Sequence, residues 1–284
     1  MKNQFKPMLA AKWPKGMPFE EFLGHIKLPA IATPKVDGIR CFTNDTPDGA
    51  NRSYPICRSL LPVPNNSIRR KIAFEAMPGL DGEIVTYSDP TLFNSALEAR
   101  NFHEIQSDVM SSHGDPHFIF WLFDYLDLSR DHPHMIPYCK RWAELESLSL
   151  PPFCRILPRV YANTVKELMT FYEVMVERGW EGICWRHEHS LYKYGRSTLR
   201  QQGLVAHKKF VTSEAKILGY EEELKNLNAA ERNELGYLKR SRKQENLVGK
   251  GRLGAFIMVT EDGATFKVGS GYSEAQRQVF WERR

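Results

Sequence analysis

The chain has 284 residues, 42% of them apolar and 26% charged, with a net charge of +5. This is an ordinary globular composition, long enough for one large domain and one small one. No apolar run approaches a membrane span and Met1-Lys2-Asn3-Gln4-Phe5 lacks the apolar core of a signal peptide, so no membrane partner is expected and the setting is read as intracellular, not secreted.

In chain order, Ala30 to Phe42 reads as strand with a tight Asp37-Gly38 turn inside it. Ile68 to Phe74 suits a short helix, Leu80 to Tyr87 a strand, Leu92 to Arg100 a helix, and the apolar, aromatic run Phe118 to Leu126 a buried strand. Val165 to Arg178 is the best-marked helix. Thr164 and Glu167 form a capping box, Val165, Leu168, Met169, Tyr172, Met175 and Val176 fall at helical spacing, and Gly179 stops it. Trp180 to Arg186 is then a strand. A domain boundary is placed at Phe210 to Ser213. Beyond it, Ala215 to Tyr220 and Gly254 to Val268 read as strands of a β-rich unit, with Asp262-Gly263 as a hairpin turn and the polar stretch Glu221 to Arg252 interrupting it. The expected fold class is α+β: a domain over residues 1–210 with antiparallel sheets and flanking helices, then a small β-barrel domain over 211–284.

Five scattered cysteines without a C-x-x-C spacing point to free thiols in a reducing compartment. Two H-x-H pairs, His132/His134 and His187/His189, have no cysteine nearby and read as solvated loop or surface strand rather than a zinc site. The charge excess is local. Between Gly236 and Arg252 stand Lys239, Arg240, Arg242, Lys243, Lys250 and Arg252 against Glu245 alone. Such a stripe on a neutral body suits a polyanion or a plain solvated loop, and charge alone leaves both open.

The segment Thr33-Pro34-Lys35-Val36-Asp37-Gly38-Ile39-Arg40 carries the first chemical signal. A lysine is a nucleophile only when neutral, its reference pKa is about 10.4, and a nearby cation such as Arg40 lowers it. A surface lysine before a hairpin is the plainer alternative. Further along come Leu80-Asp81-Gly82-Glu83, Glu181-Gly182-Ile183-Cys184-Trp185-Arg186 and Lys208-Lys209. One lysine, two carboxylates after turns and late lysines form an inventory for moving a nucleotidyl group: carboxylates hold a divalent metal and cations neutralise charge at phosphorus.

The order and spacing of these motifs resemble the covalent nucleotidyltransferases, specifically the small viral ATP-dependent DNA ligases. The likeness is dense at residues 32–40, 123–125, 192–198 and 236–241. The resemblance implies ATP as donor of a covalent AMP, Mg²⁺ or Mn²⁺ as metal, and nicked duplex DNA as partner of a monomer that encircles it. Residue by residue, it implies Lys35 as the catalytic nucleophile within a nucleotide-binding stretch that includes Thr33. Arg40 would contact the AMP sugar, and Arg58 the nick 5′-phosphate and AMP. Glu83 would meet the ribose or a metal, Phe123 would stack on adenine, and Glu181 would bind metal. Arg196 would contact substrate phosphate, and Lys208 the AMP phosphate. The C-terminal unit would be an OB-fold with a DNA-clasping insertion at about 221–252, where Lys239, Arg240, Arg242 and Lys243 would meet DNA.

Two departures stand out. The family's usual Lys-x-Lys reads Ala206-His207-Lys208 here, and relatives continue with further strands past the point matching Arg284, so the OB-fold is expected to be incomplete. The competing functions are an RNA ligase or mRNA capping nucleotidyltransferase, and an impaired ligase that binds nicks without sealing them. An NAD-dependent ligase is disfavoured because only 34 residues precede Lys35.

Overall fold

The structure is a computed structural model that describes residues 5–11, 19–46, 53–89, 98–209, 214–232, 238–241 and 244–284. The chain divides into two compact units, Met1–Lys209 and Phe210–Arg284. The expected helix at Leu92 to Arg100 and the expected boundary at Phe210 to Ser213 lie largely or wholly outside the described residues.

The first unit is built on two sheets. One holds β1 (Ala30–Lys35), β7 (Val160–Ala162), β8 (Gly182–His187) and β9 (Val205–Lys208), in the order β7-β1-β8-β9. The other holds β2 (Ile39–Asp45), β3 (Ser53–Cys57), β4 (Leu80–Tyr87), β5 (His117–Tyr125) and β6 (Cys154–Ile156), in the order β3-β2-β4-β5-β6. Pairing is antiparallel in both sheets except between β5 and β6.

This corrects the reading of residues 30–42 as one strand folded at a turn. β1 and β2 are consecutive but belong to different sheets, and Val36-Asp37-Gly38 carries the chain from one to the other. Gly38 is needed for proximity: a Cβ there would lie 2.6 Å from the carbonyl oxygen of Ile84 on β4.

Helices α1 (Phe19–Leu23), α2 (Asn66–Glu75), α3 (Phe102–Met110), α4 (Tyr138–Ser147) and α5 (Val165–Glu177) complete the unit. Their starts are encoded locally. Asn65 caps α2 by accepting from the Ile68 N–H, and capping boxes open α3 (Asn101, Glu104) and α5 (Thr164, Glu167). Phe118 to Tyr125 is buried throughout, as an inner strand covered on both faces must be. Each large apolar side chain so placed contributes about 1.5–3 kcal/mol.

The second unit contains a three-stranded antiparallel sheet of β10 (Lys216–Asn226), β13 (Leu247–Val259) and β14 (Thr265–Val268), in the order β10-β13-β14. A short antiparallel pair, β11 (Ala230–Arg232) and β12 (Leu238–Arg240), lies between β10 and β13 in sequence. Helix α6 (Glu274–Glu282), opened by a Ser273/Gln276 capping box, packs on β13, where Arg277 donates to the carbonyls of Leu253 and Gly254 at 2.8 and 3.0 Å. Phe256 is the aromatic centre, with Tyr220, Tyr272 and Phe280 around it at 5.4–5.5 Å. The polar stretch 221–252 is therefore no simple interruption. β10 and β13 keep pairing as far as Asn226 and Leu247, and the Leu227 N–H still donates to the Asn246 carbonyl at 2.9 Å, so the insertion lengthens one hairpin of that sheet.

Candidate active site

Both sheets of the first unit send side chains into one cleft of about 220 Å³. β1 supplies Thr33 and Lys35, β8 supplies Cys184 and Arg186, and β9 supplies Ala206. The other sheet supplies Arg40 from β2, Glu83 from β4 and Phe123 from β5, with Arg58 from the turn after β3. Six residues named from the sequence thus meet here: Thr33, Lys35, Arg40, Arg58, Glu83 and Phe123. Glu181 and Lys208 join indirectly, through Lys35 and through each other.

Lys35 Nζ donates to the Glu181 carboxylate, and Lys208 Nζ reaches the same carboxylate at 3.3 Å. The register makes this possible, because Lys35 and Lys208 both pair with Gly182, one residue after Glu181. Gly182 has a φ of +151°, and a side chain there would overlap the His207 carbonyl oxygen, so glycine alone lets the strands approach. Burial pulls the Lys35 pKa down, but Cys184, Glu181 and Glu83 more than offset it, and the net value lies above that of an ordinary lysine. The expectation that Arg40 lowers it is overturned, because Arg40 is spoken for elsewhere. Lys35 in this arrangement is an ammonium seated on a carboxylate, and an ammonium is no nucleophile until it sheds a proton.

Arg40 binds Asp81 through Nε and Nη2, both at 2.7 Å, and lies 3.9 Å from Glu83. Asp81 is fully buried and also accepts from the Tyr192 hydroxyl at 2.6 Å, which in turn accepts from the Met8 N–H at 2.9 Å. Tyr192 lies in the 192–198 segment, so that segment is tied to the floor of the cleft. Glu83 does not follow a turn, as the sequence had suggested. It sits mid-strand with 19% of its side chain accessible, and burial, only partly countered by Arg40 and Lys35, pushes its pKa up to about 8. A carboxyl so starved of solvation is a fit site for a hard cation. Magnesium commonly takes one or two carboxylates and completes its shell with phosphate and water, so Glu83 and Glu181 suit a metal brought in with a nucleotide. Among the described residues no cluster of three or more His, Cys, Asp or Glu side chains forms a preassembled cage.

The Phe123 ring lies 4.3 Å from the Arg40 guanidinium and 5.3 Å from that of Arg186, so cation–π contacts hold it in place. Behind it, Asp124 and Arg141 form a buried two-pronged ion pair at 2.7 and 3.0 Å. Arg186 donates to the Tyr138 hydroxyl at 3.1 Å, which donates to the Phe123 carbonyl at 2.9 Å. Arg186, Asp81, Asp124, Arg141 and Tyr192 received no role from the sequence. A charged residue embedded in an apolar strand, as Asp124 is, was the available signal.

Arg58 is exposed at the mouth of the cleft. Arg196 is exposed too and donates to the Ala10 carbonyl at 2.6 Å; it stands beside a cleft-lining residue without lining the cleft itself. Ala206 faces the cleft, opposite Cys184, while Lys208 two residues on reaches Glu181. Alanine and lysine therefore share a strand face, and His207 turns away onto Tyr172 at 4.7 Å.

The basic stripe of the second unit is partly spent internally. Lys250 and Arg252 bind Glu223 at 2.5 and 2.6 Å, and Arg252 also reaches Glu274 at 3.1 Å. Arg240 is exposed and donates to the Asn228 carbonyl. Lys239 lies in β12, and Arg242 and Lys243 lie outside the described residues.

A family model described as the ATP dependent DNA ligase domain matches residues 7–203. The structure of Chlorella virus DNA ligase-adenylate is 25% identical over 98% of this chain and 89% of that one, with a TM-score of 0.55. A Lig E DNA ligase, described as binding DNA with a minimal scaffold, is 20% identical over 96% of this chain and 87% of that one, with a TM-score of 0.64. The ATP-dependent DNA ligase of bacteriophage T7, solved with ATP, is 16% identical over 98% of this chain and 84% of that one, with a TM-score of 0.50. The last two are likenesses of fold. Comparison with curated protein sequences returned no match.

Proposed function

The chain belongs to the ATP-dependent DNA ligase domain family and is a DNA ligase, and from that premise we propose that it seals 3′-hydroxyl/5′-phosphate nicks in duplex DNA through AMP carried on Lys35. The observation that carries this reading is the convergence of Lys35, Arg40, Arg58, Glu83 and Phe123 on one cleft, with Glu181 on the lysine amine.

In the first step the neutral Lys35 amine attacks the α-phosphorus of ATP. An N–P bond forms, the bond to the bridging oxygen breaks, and pyrophosphate leaves. Glu181 aims the amine and is the nearest group to receive its proton. Arg40, rigid on Asp81, presents its remaining edge to the nucleotide, and Phe123 offers the ring on which adenine packs. A divalent cation held by Glu83, Glu181 and the phosphates would supply charge neutralisation at phosphorus.

In the second step an oxygen of the DNA 5′-phosphate displaces Lys35 from AMP, and the amine recovers a proton. Arg58 receives that phosphate and Arg196 holds the strand beside it, a reading supported by the exposure of Arg58 where it lines the cleft. In the third step the 3′-hydroxyl attacks the 5′-phosphorus, loses its proton, and AMP departs. Lys208 holds the AMP phosphate side of the site through Glu181. The second unit serves as the OB-fold-type platform, and residues 227–246, at the tip of its long hairpin, are the clasp. Arg240 is an exposed cation of that tip, with Lys239, Arg242 and Lys243 beside it in sequence.

The test is labelling with α-³²P-ATP followed by peptide mapping, then sealing of a nicked duplex. The label is expected on the Lys35 peptide and absent from Lys35→Ala. Label elsewhere removes Lys35 from the mechanism; label without sealing of DNA supports the RNA-directed or nick-binding alternatives.

A further inference from the structure

Three of the four histidines of the two H-x-H pairs gather at one cavity; the fourth, His132, is exposed outside its lining. His134, His187 and His189 line one cavity of about 890 Å³ in the first unit, four times the volume of the Lys35 cleft and sharing no lining residue with it. Four cations line the same cavity: Lys6, Lys27, Lys193 and Arg200. Among the described residues none of the four has a carboxylate partner, and Lys193 donates to the Gln201 side chain instead, at 3.0 Å. That sets them apart from Lys35, Arg40, Arg141 and Arg252, each seated on an acid. No acidic side chain lines the cavity among the described residues; the nearest acid in the sequence, Glu188, bonds His189 at 3.3 Å from outside the lining.

Unpaired like charges that converge on a concave surface focus a positive potential and attract an anion. They also repel a metal ion, so the histidines serve here as hydrogen-bonding groups. The cavity has an apolar side too. Met135 is 54% exposed and Leu191 42% exposed, large apolar side chains left open to solvent within the lining. Tyr194 stands beside them with its ring 4.9 Å from that of His134. Cations for phosphate, apolar and aromatic surface for a flat ring, and a volume in the range of small-ligand pockets describe a nucleotide.

We infer that this cavity is a second nucleotide site, taking a phosphate-bearing nucleotide, either free or as one unit of a single nucleic-acid strand, independently of the Lys35 cleft. The inference rests on this cavity's own lining and not on adenylyl transfer.

The full chain in a Lys35→Ala background, which forms no lysyl adduct, is titrated calorimetrically with α,β-methylene-ATP and, separately, with pentathymidylate. The same is done with Lys27→Gln/Arg200→Gln and Lys27→Glu/Arg200→Glu added. Both residues are exposed, so folding is expected to survive; the glutamine pair decides if charge reversal unfolds the chain. Charge reversal is expected to weaken binding at one site roughly tenfold or more, the glutamine pair by less, and removing two phosphate contacts flattens the single-strand salt slope by roughly 1.4. For the ATP analogue the stoichiometry should fall by one site. Loss confined to the analogue identifies a free nucleotide, and loss confined to the oligonucleotide identifies a strand. Unchanged affinity and stoichiometry for both probes in both variants overturns the site.

Discussion

Replacing Glu83 by glutamine should change how stability depends on pH. Burial holds the Glu83 pKa at about 8, against 4.5 for an ordinary glutamate. The folded state then binds a proton that the unfolded state releases between those values, so stability falls as pH rises through that window. Complete burial would make the effect about 5 kcal/mol, from 1.36 kcal/mol for each unit of pKa. The side chain retains 19% of its surface, and local relaxation softens such penalties, so a difference of about 2–3 kcal/mol is expected. The assay is urea unfolding of wild type and Glu83→Gln from pH 5 to 9, without nucleotide and in chelator. The two proteins should have similar stability at pH 5, and the variant should gain on wild type up to pH 9. Magnesium added at pH 7 should stabilise wild type more than the variant, by displacing the proton. Parallel pH profiles would show that Glu83 ionises like a solvated carboxylate, and its reading as a cation-seeking group would fail with it.

Asp124→Ala should destabilise strongly, by about 3–5 kcal/mol, because it strands the buried Arg141 charge; a thermal melt lowered by less than about 3 °C would refute that. Ala206→Lys should place a second amine in the cleft and speed at least one chemical step by roughly two orders of magnitude, from about 3 kcal/mol of charge stabilisation. Rapid-quench rates that match at all three steps would mean Lys208 and its neighbours already suffice. Deleting residues 228–246 should leave AMP labelling intact and flatten the log–log salt dependence of nick binding. The deleted segment carries five cations, Arg232, Lys239, Arg240, Arg242 and Lys243, for a change of roughly 4 to 5 in slope if all of them meet phosphates. An unchanged slope would take the tip off the DNA.

Local signals fixed much of this protein from sequence alone. The Thr164/Glu167 capping box and helical spacing of α5 and the apolar run of β5 act over a few residues, and those two elements formed nearly where expected. The strand alternation that set Ala206 and Lys208 on one face is equally local. The family motif named Lys35 and its companions because nucleotidyl chemistry constrains residue type and order. What the motif did not carry was who touches whom. Lys35 and Arg40 are five residues apart yet lie on different sheets, so the arginine answers to Asp81 and the lysine to Glu181. Glu83 became a high-pKa group only when the sheet buried it, and Gly38 proved to be a close approach of the β1–β2 link to β4 rather than a hairpin turn. The pairing of Asp124 with Arg141, and of Glu223 with Lys250 and Arg252, joins residues with no local pattern between them. The same holds for the histidines and unpaired cations of the larger cavity, gathered from residues 6 to 200. Propensity and periodicity are short-range properties of the chain, whereas desolvation and charge pairing depend on distances that only the packed structure sets.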